Sequence, residues 1–161
     1  MSFALPRIAR LASTRTSTLF FKPIATRSNQ FIRMGSTLTP VISSNAPPAA
    51  ASYSHAIKAN GFVYVSGQIP YTPDGKPVEG DIKAKGEQVL QNVFAILKDS
   101  NSSLEKIVKV NVFLTDINDF AKFNEVYSKY FNVHKPARSC VAVKDLPLGV
   151  PLEVEVVAVE N

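Results

Sequence analysis

The order of strand-like and helix-like segments is the feature that most restricts the folds open to this chain. Two segments, 81–99 and 119–131, repeat their apolar side chains at three- and four-residue steps, which is typical of amphipathic helices. Short β-branched and alternating segments predict six strands, at 37–42, 53–59, 62–66, 107–115, 138–143 and 152–159. Two helices cannot cover both faces of a six-stranded sheet, so we expect an α+β fold with both helices on one face. The other face then meets solvent or another subunit.

Local signals support these boundaries. Asn60-Gly61 predicts a tight hairpin between the second and third strands, and the third strand is expected to stop at Gly67. The prolines of segment 45–51 predict a loop, because proline lacks the donor that a sheet needs. Asp81 is the expected cap of the first helix.

Residues 1–36 have the composition of a mitochondrial transit peptide. They contain six basic residues and nine serines or threonines, and the first acidic residue of the chain is Asp74. A cationic segment of this kind is attracted to an anionic membrane surface and an inside-negative potential. We therefore predict a leader over 1–36, a single domain over 37–161 and a location in the mitochondrial matrix. No stretch has the roughly 18 apolar residues of a spanning helix, so no stable membrane association is expected.

The charge of the predicted domain argues against nucleic-acid binding. The whole chain has a net charge of +5, but residues 37–161 carry 12 basic and 13 acidic side chains. A nucleic-acid surface normally shows a clustered basic stripe, which this domain lacks. Its one cysteine cannot form an intrachain disulfide, which suits a reducing compartment.

Arg138 is the only arginine after residue 33, where the chain otherwise uses eleven lysines. Its forked guanidinium can hold a carboxylate or a phosphate through two parallel hydrogen bonds, which lysine does poorly. Since an apolar β-branched run follows it, we expect Arg138 near the start of a strand. A structural ion pair and a substrate clamp are both compatible with this pattern.

Glu153 and Glu155 alternate with valines in the last predicted strand. In a two-residue period both carboxylates point away from the apolar stripe of that strand. Solvent exposure alone explains such glutamates, and it is our interpretation of Glu155.

Four segments, read together, resemble the RidA/YjgF family over residues 38–160. They are Ser66-Gly67-Gln68-Ile69-Pro70, Asn111-Val112-Phe113-Leu114-Thr115-Asp116, Pro136-Ala137-Arg138-Ser139-Cys140-Val141 and Leu152-Glu153-Val154-Glu155. With its leader, the chain is most similar to fungal mitochondrial members. The resemblance implies a mixed, chorismate-mutase-like sheet with two helices on one face, and a barrel-like homotrimer with clefts between subunits. It also implies hydrolysis of reactive 2-enamines and 2-imines to 2-keto acids and ammonia, without metal or organic cofactor.

The resemblance also implies roles for individual residues. Arg138 matches the arginine that holds the substrate carboxylate, and Glu153 matches a glutamate that positions or activates water. Tyr53 and Asn124 match residues that line the cleft, and Gly67 lets the backbone approach the ligand. Cys140 is expected to contribute its backbone amide.

The other candidate groups have simpler interpretations. The Cys140 thiol has no neighbouring base in the sequence, so we expect a buried small apolar side chain and not a nucleophile. His55 and His134 lack metal-ligand spacing, and we expect polar surface positions for both.

Three functions remain in competition on these grounds. The first is a deaminase of the matrix that clears imines leaked by pyridoxal-phosphate enzymes such as threonine dehydratase, and so supports isoleucine synthesis. The second is a binder of small metabolites that uses the same cleft without turnover. The third is a ribonuclease or translation inhibitor, against which the charge of the domain speaks.

Overall fold

A computed structural model describes residues 37–161 of the chain. Its strands are β1 (Thr39–Val41), β2 (Ala56–Ala59), β3 (Phe62–Gln68), β4 (Ile107–Leu114), β5 (Ala137–Ala142) and β6 (Leu152–Val159), and its helices are α1 (Ile82–Asp99) and α2 (Phe120–Tyr130). The predicted order of elements is confirmed. The predicted leader, 1–36, lies outside the described residues.

The strands form one mixed sheet in the order β1-β2-β3-β6-β4-β5. All neighbours are antiparallel except β4 and β5, which are parallel and joined through α2. A parallel pair needs such a crossover, whereas the antiparallel β2–β3 pair turns directly at Asn60-Gly61. Both turn residues have positive φ, 52° and 80°, as the hairpin prediction requires.

Both helices pack on the same face of the sheet, as predicted. Alternate strand side chains and the apolar stripe of α1 form the core; its members include Val63, Val110, Val112, Val154, Val89, Val93 and Ile96. Asp81 caps α1 and accepts hydrogen bonds from the backbone N–H groups of Lys83 and Ala84, at 3.1 and 3.0 Å. Within residues 37–161, no helix is long and apolar enough to cross a membrane.

The opposite face of the sheet is open. Phe62, Tyr64 and Val141 are exposed there by 38, 48 and 46%. Large aromatic side chains on an uncovered sheet face are typical of an interaction surface. The homotrimer implied by the family resemblance remains a prediction, and this face is the surface available for it.

The third strand differs from its prediction, because it continues past Gly67 to Gln68. Its pairing with β6 shifts between Val65, opposite Val156, and Gln68, opposite Val154. The bulge places an extra residue in β3, so that Val65 and Gln68 both point to the buried face. Segment 53–59 also differs, since β2 begins only at Ala56 and Tyr53 lies in the preceding loop.

Candidate active site

A cavity of about 290 Å³ lies against the β3 bulge. Tyr53, Gly67 and Glu153, three of the predicted site residues, line it together. Apolar side chains supply most of the remaining wall: Ala50, Ala51, Ile69, Pro147 and Leu148. The structure thus brings one carboxylate into a mainly apolar pocket.

The Glu153 carboxylate lies directly over the backbone of Gly67. A Cβ atom at position 67 would lie 1.7 Å from Glu153 Oε1, which no folded protein tolerates. Glycine is therefore needed for this close approach of Glu153. The expectation that Gly67 lets the backbone approach a ligand remains a prediction.

The environment of Glu153 favours its protonated form. Burial raises the pKa of this carboxyl above its ordinary value of 4.5, and the negative charge of Glu155 raises it further. Glu155 accepts a hydrogen bond from Asn111 Nδ2 at 2.7 Å, which leaves Glu153 as the carboxylate that faces the pocket. A carboxylate with a raised pKa is better matched to proton transfer near neutral pH.

Arg138 and Asn124 form a second group. Arg138 is the second residue of β5, close to the predicted strand start, and its Nη1 donates to Asn124 Oδ1 at 2.9 Å. Its guanidinium lies 4.4 Å from the ring centroid of Tyr127 and 5.4 Å from that of Phe120. These contacts orient the positive charge. Within residues 37–161 Arg138 forms no salt bridge with a carboxylate, so one subunit gives no support to the alternative of a structural ion pair.

Two aromatic side chains of α2 form a platform beneath Arg138 that was not predicted from the sequence. Phe120, Asn124 and Tyr127 stand four and three residues apart, so they share one stripe of α2. The sequence pattern predicted only an amphipathic helix over 119–131, without a role for this stripe. The signal was present in the helical spacing, but only the packing of α2 beside β5 shows that the stripe carries the arginine.

The two groups lie on opposite faces of the sheet. Paired residues on neighbouring strands point to the same face of a sheet. Arg138 is paired with Val110, which lies in the core, so Arg138 is on the helix face. Glu153 is paired with Phe113, which is itself paired with the exposed Val141. Phe113 is an odd number of residues from Val110 on the same strand, so Glu153 is on the open face. One subunit therefore does not bring Arg138 and Glu153 into the same cavity.

Cys140 accompanies Arg138 on the helix side of β5. Its thiol is only partly buried, not fully as predicted, because β5 is an edge strand of the sheet. Burial raises the pKa of this thiol, which disfavours the nucleophilic thiolate. The expectation that Cys140 contributes its backbone amide remains a prediction.

The prediction of a surface position for His55 is wrong. The side chain is 2% exposed, and both of its ring nitrogens form hydrogen bonds with backbone groups of the loop before β2. Nδ1 accepts a hydrogen bond from the Ser43 N–H at 2.8 Å, and Nε2 donates to the Pro47 carbonyl at 2.8 Å. His134 is partly exposed and contacts the carbonyl of Ile107. No cluster of three potential metal ligands occurs within residues 37–161.

Comparison with known proteins defines the class. Residues 43–160 match the family described as Endoribonuclease L-PSP, and the chain belongs to this family, which confirms the RidA/YjgF resemblance. Protein MMF1, mitochondrial, of Saccharomyces cerevisiae is 64% identical over 144 residues, which cover 89% of this chain and 99% of that protein. The mitochondrial location predicted from the leader is thereby confirmed.

Solved structures share the fold of the described domain. The crystal structure of yeast Mmf1 has a TM-score of 0.77 and 70% identity, and covers 78% of this chain and 100% of its own. TdcF of E. coli, solved with bound serine, has a TM-score of 0.72 and 38% identity, and covers 76% of this chain and 99% of its own.

Proposed function

We propose that the protein is a matrix deaminase that hydrolyses reactive 2-imino acids, and the enamines that tautomerise to them, to 2-keto acids and ammonia. The proposed organisation is a transit peptide over 1–36 and a catalytic domain over 37–161. The observation that carries the proposal is the Glu153 carboxylate, whose pKa is raised by burial, over a glycine in an apolar pocket. An uncharged electrophilic C=N group suits such a pocket, and a carboxylate there can activate water.

In the proposed hydrolysis, Glu153 carries the proton transfers. Glu153 takes a proton from water as the oxygen bonds to the imine carbon, and the C=N bond becomes a single bond. Protonated Glu153 then returns a proton to nitrogen. In the resulting carbinolamine, Glu153 accepts the hydroxyl proton and passes it to the amino nitrogen as the C–N bond breaks, so that ammonia leaves and the C–O bond becomes the keto group. The net reaction consumes one water molecule and requires no oxidant or reductant.

Arg138 is proposed to hold the substrate carboxylate. Its guanidinium is oriented by Asn124 and by the Tyr127 ring, so little side-chain freedom is lost on binding. A charge-assisted hydrogen bond contributes about 1.5–3 kcal/mol, and a bidentate pair also fixes the orientation of the substrate. The bound serine in TdcF, a small molecule with a carboxylate beside a nitrogen-bearing carbon, supports a ligand of this kind.

The placement of the two groups on opposite faces favours a cleft between subunits. In a homotrimer built on the open face, the β5 edge of one subunit, with Arg138, Asn124 and Cys140, would meet the Tyr53–Gly67–Glu153 pocket of its neighbour. The exposed Phe62, Tyr64 and Val141 would be covered by that contact.

A coupled assay tests the proposal. Threonine dehydratase and threonine generate 2-aminocrotonate and 2-iminobutyrate in situ, and semicarbazide traps the imine. Residues 37–161 should suppress trapping, whereas Arg138→Ala and Glu153→Gln should each lower this activity about 10²–10⁴-fold. Glu155→Gln is the matched control, because it removes a carboxylate from the same face of the same strand and keeps the acceptor for Asn111. Undiminished turnover by Arg138→Ala would contradict the proposal.

The second candidate is a metabolite-binding regulator that uses the same cleft. If the wild type leaves trapping unchanged but binds 2-keto acids, and Glu153→Gln binds them equally well, this candidate replaces the deaminase. The ribonuclease activity in the family description has less support, because residues 37–161 carry a net charge of −1. Cleavage of RNA by nuclease-free protein, lost in Arg138→Ala, would revive it.

A further inference from the structure

Leu148 has an unusual backbone for a leucine. It lies in the turn Pro147–Gly149 between β5 and β6, with φ 57° and ψ 16°, in the left-handed region. Its side chain is 63% exposed, so the burial of that side chain does not account for the conformation. Glycine or asparagine adopts this backbone with less strain than leucine. A strained backbone that holds an exposed apolar side chain suggests a role at a functional site.

The position of Leu148 indicates that role. It lines the Glu153 pocket, and it also lines a neighbouring cavity of about 140 Å³. Among the described residues, it is the one side chain shared by both cavities. Leu148 therefore forms a partition between them.

The two cavities differ in chemistry. The Glu153 pocket has mainly apolar walls, whereas the second cavity includes the charged side chains of Glu79 and Lys85. Without the leucine side chain, the pocket would open into this more polar space and gain length. The partition thus limits how far an apolar group can extend from the reacting carbon.

We propose that Leu148 is a specificity-determining residue, which closes the Glu153 pocket and restricts it to imino acids with short apolar side chains. This inference rests on the proposed function, since it takes the pocket as the place where the substrate side chain binds. It assigns no role to Leu148 in the chemical step.

The test compares a short and a long substrate in residues 37–161, the portion that relatives with solved structures span. An L-amino-acid oxidase generates the imino acids from 2-aminobutyrate and norleucine, and kcat/KM is measured for each. In Leu148→Gly, the ratio of long to short substrate should rise about tenfold, since a small change in an apolar pocket alters selectivity by that order. Leu148→Met is the matched control, because it keeps an apolar side chain of similar volume, and its ratio should stay near that of the wild type.

Stability and assembly distinguish this role from a structural one. Glycine relieves the left-handed strain and removes an exposed side chain, so Leu148→Gly should keep the Tm and the oligomeric state of the wild type. An unchanged substrate ratio in Leu148→Gly overturns the proposal. A parallel loss for both substrates, or a change of oligomeric state, also overturns it.

A binding experiment distinguishes failure of this inference from failure of the deaminase proposal. Isothermal titration with the four- and six-carbon straight-chain 2-keto acids reports the same preference without turnover. If the wild type shows no turnover but prefers the shorter acid, and Leu148→Gly loses that preference, the deaminase proposal fails and the partition stands. If the wild type turns over imines but Leu148→Gly keeps the preference in both assays, the partition fails and the deaminase proposal stands.

Discussion

Glu153 combines two influences that act in the same direction. Burial is the larger cause of its raised pKa, and the charge of Glu155 on the same face of β6 is the smaller. Because a general base must be ionised, activity should fall as the pH drops through the pKa of Glu153 in the folded protein. That fall should occur above the ordinary glutamate value of 4.5.

Glu155→Gln should move this acid-side fall in activity, the acid limb of the pH profile, to lower pH. The substitution removes the nearby negative charge and leaves the burial of Glu153 unchanged, so the pKa of Glu153 falls part of the way back. The measurement is kcat/KM against pH for both proteins. If the acid limb stayed at the same pH, the charge of Glu155 would have no effect on the pKa of Glu153. Glu105→Gln, at a distant exposed carboxylate, serves as the control and should leave the limb unchanged.

Gly67→Ala should reduce activity far more than stability. The added methyl would meet the far end of the Glu153 side chain, which can rotate away at little cost to the fold. The carboxylate then leaves its position, and a displacement of about 1 Å costs about 10²-fold in rate. The measurements are kcat/KM and the Tm.

Gly61→Ala gives the opposite pattern and serves as the comparison for Gly67→Ala. No atom lies within 4 Å of its added Cβ, but its φ of 80° strains any larger residue. We expect a loss of about 1 kcal/mol in unfolding free energy with activity retained. If both variants lost stability alone, the contact between Gly67 and Glu153 would have no catalytic importance.

The loop before β2 depends on a polar anchor that its own sequence does not reveal. His55 connects the Ser43 N–H to the Pro47 carbonyl, and Ser43 Oγ donates to Asp99 Oδ2 at the end of α1, at 2.6 Å. Ala50, Ala51 and Tyr53 follow in the same loop and line the pocket. The anchor therefore positions one wall of the candidate site.

His55→Ala should destabilise the domain by about 2–4 kcal/mol. It leaves a buried N–H and a buried carbonyl without partners and creates a cavity. Urea unfolding measures the loss, and hydrogen exchange should show faster opening of segment 43–53. His134→Ala is the control and should cost only about 1 kcal/mol, because its ring is partly exposed and contacts one carbonyl. Equal losses in the two variants would contradict the anchoring role.

The elements differ in how well sequence predicts them. Helix α1 and strand β6 match their predicted ranges to within one residue, because their periodic patterns are long and undisturbed. The β3 bulge was missed, because its extra residue is detectable only against the pairing with β6. His55 was misplaced, because its burial depends on a loop that returns to cover it.

The separation of Arg138 from Glu153 is a property of the whole sheet and not of any one element. Since the two side chains lie on opposite faces of one sheet, the proposed cleft, which uses both, would combine residues from two subunits. This arrangement can be tested without a structure of the assembly.

Mixing inactive subunits should restore activity. Arg138→Ala and Glu153→Gln are unfolded together in equal amounts and refolded, so that mixed trimers form. If each cleft takes Arg138 from one subunit and Glu153 from its neighbour, about one quarter of the clefts regain both groups. The measurement is imine hydrolysis relative to refolded wild type. Each variant refolded alone is the control, and a mixture no more active than the controls would place both groups in one subunit.

The sequence alone determined the order of the elements, the family, the basic and acid-free composition of residues 1–36 and the identity of the candidate groups. These properties depend on local periodicity, on charge and on short motifs, which the chain carries wherever it folds. Only the tertiary structure decided that Glu153 lies over Gly67, that Tyr127 supports Arg138, that His55 is buried and that Leu148 lines two cavities. Those contacts join residues far apart in sequence, and their geometry is fixed by sheet register, by a single bulge and by the packing of α2.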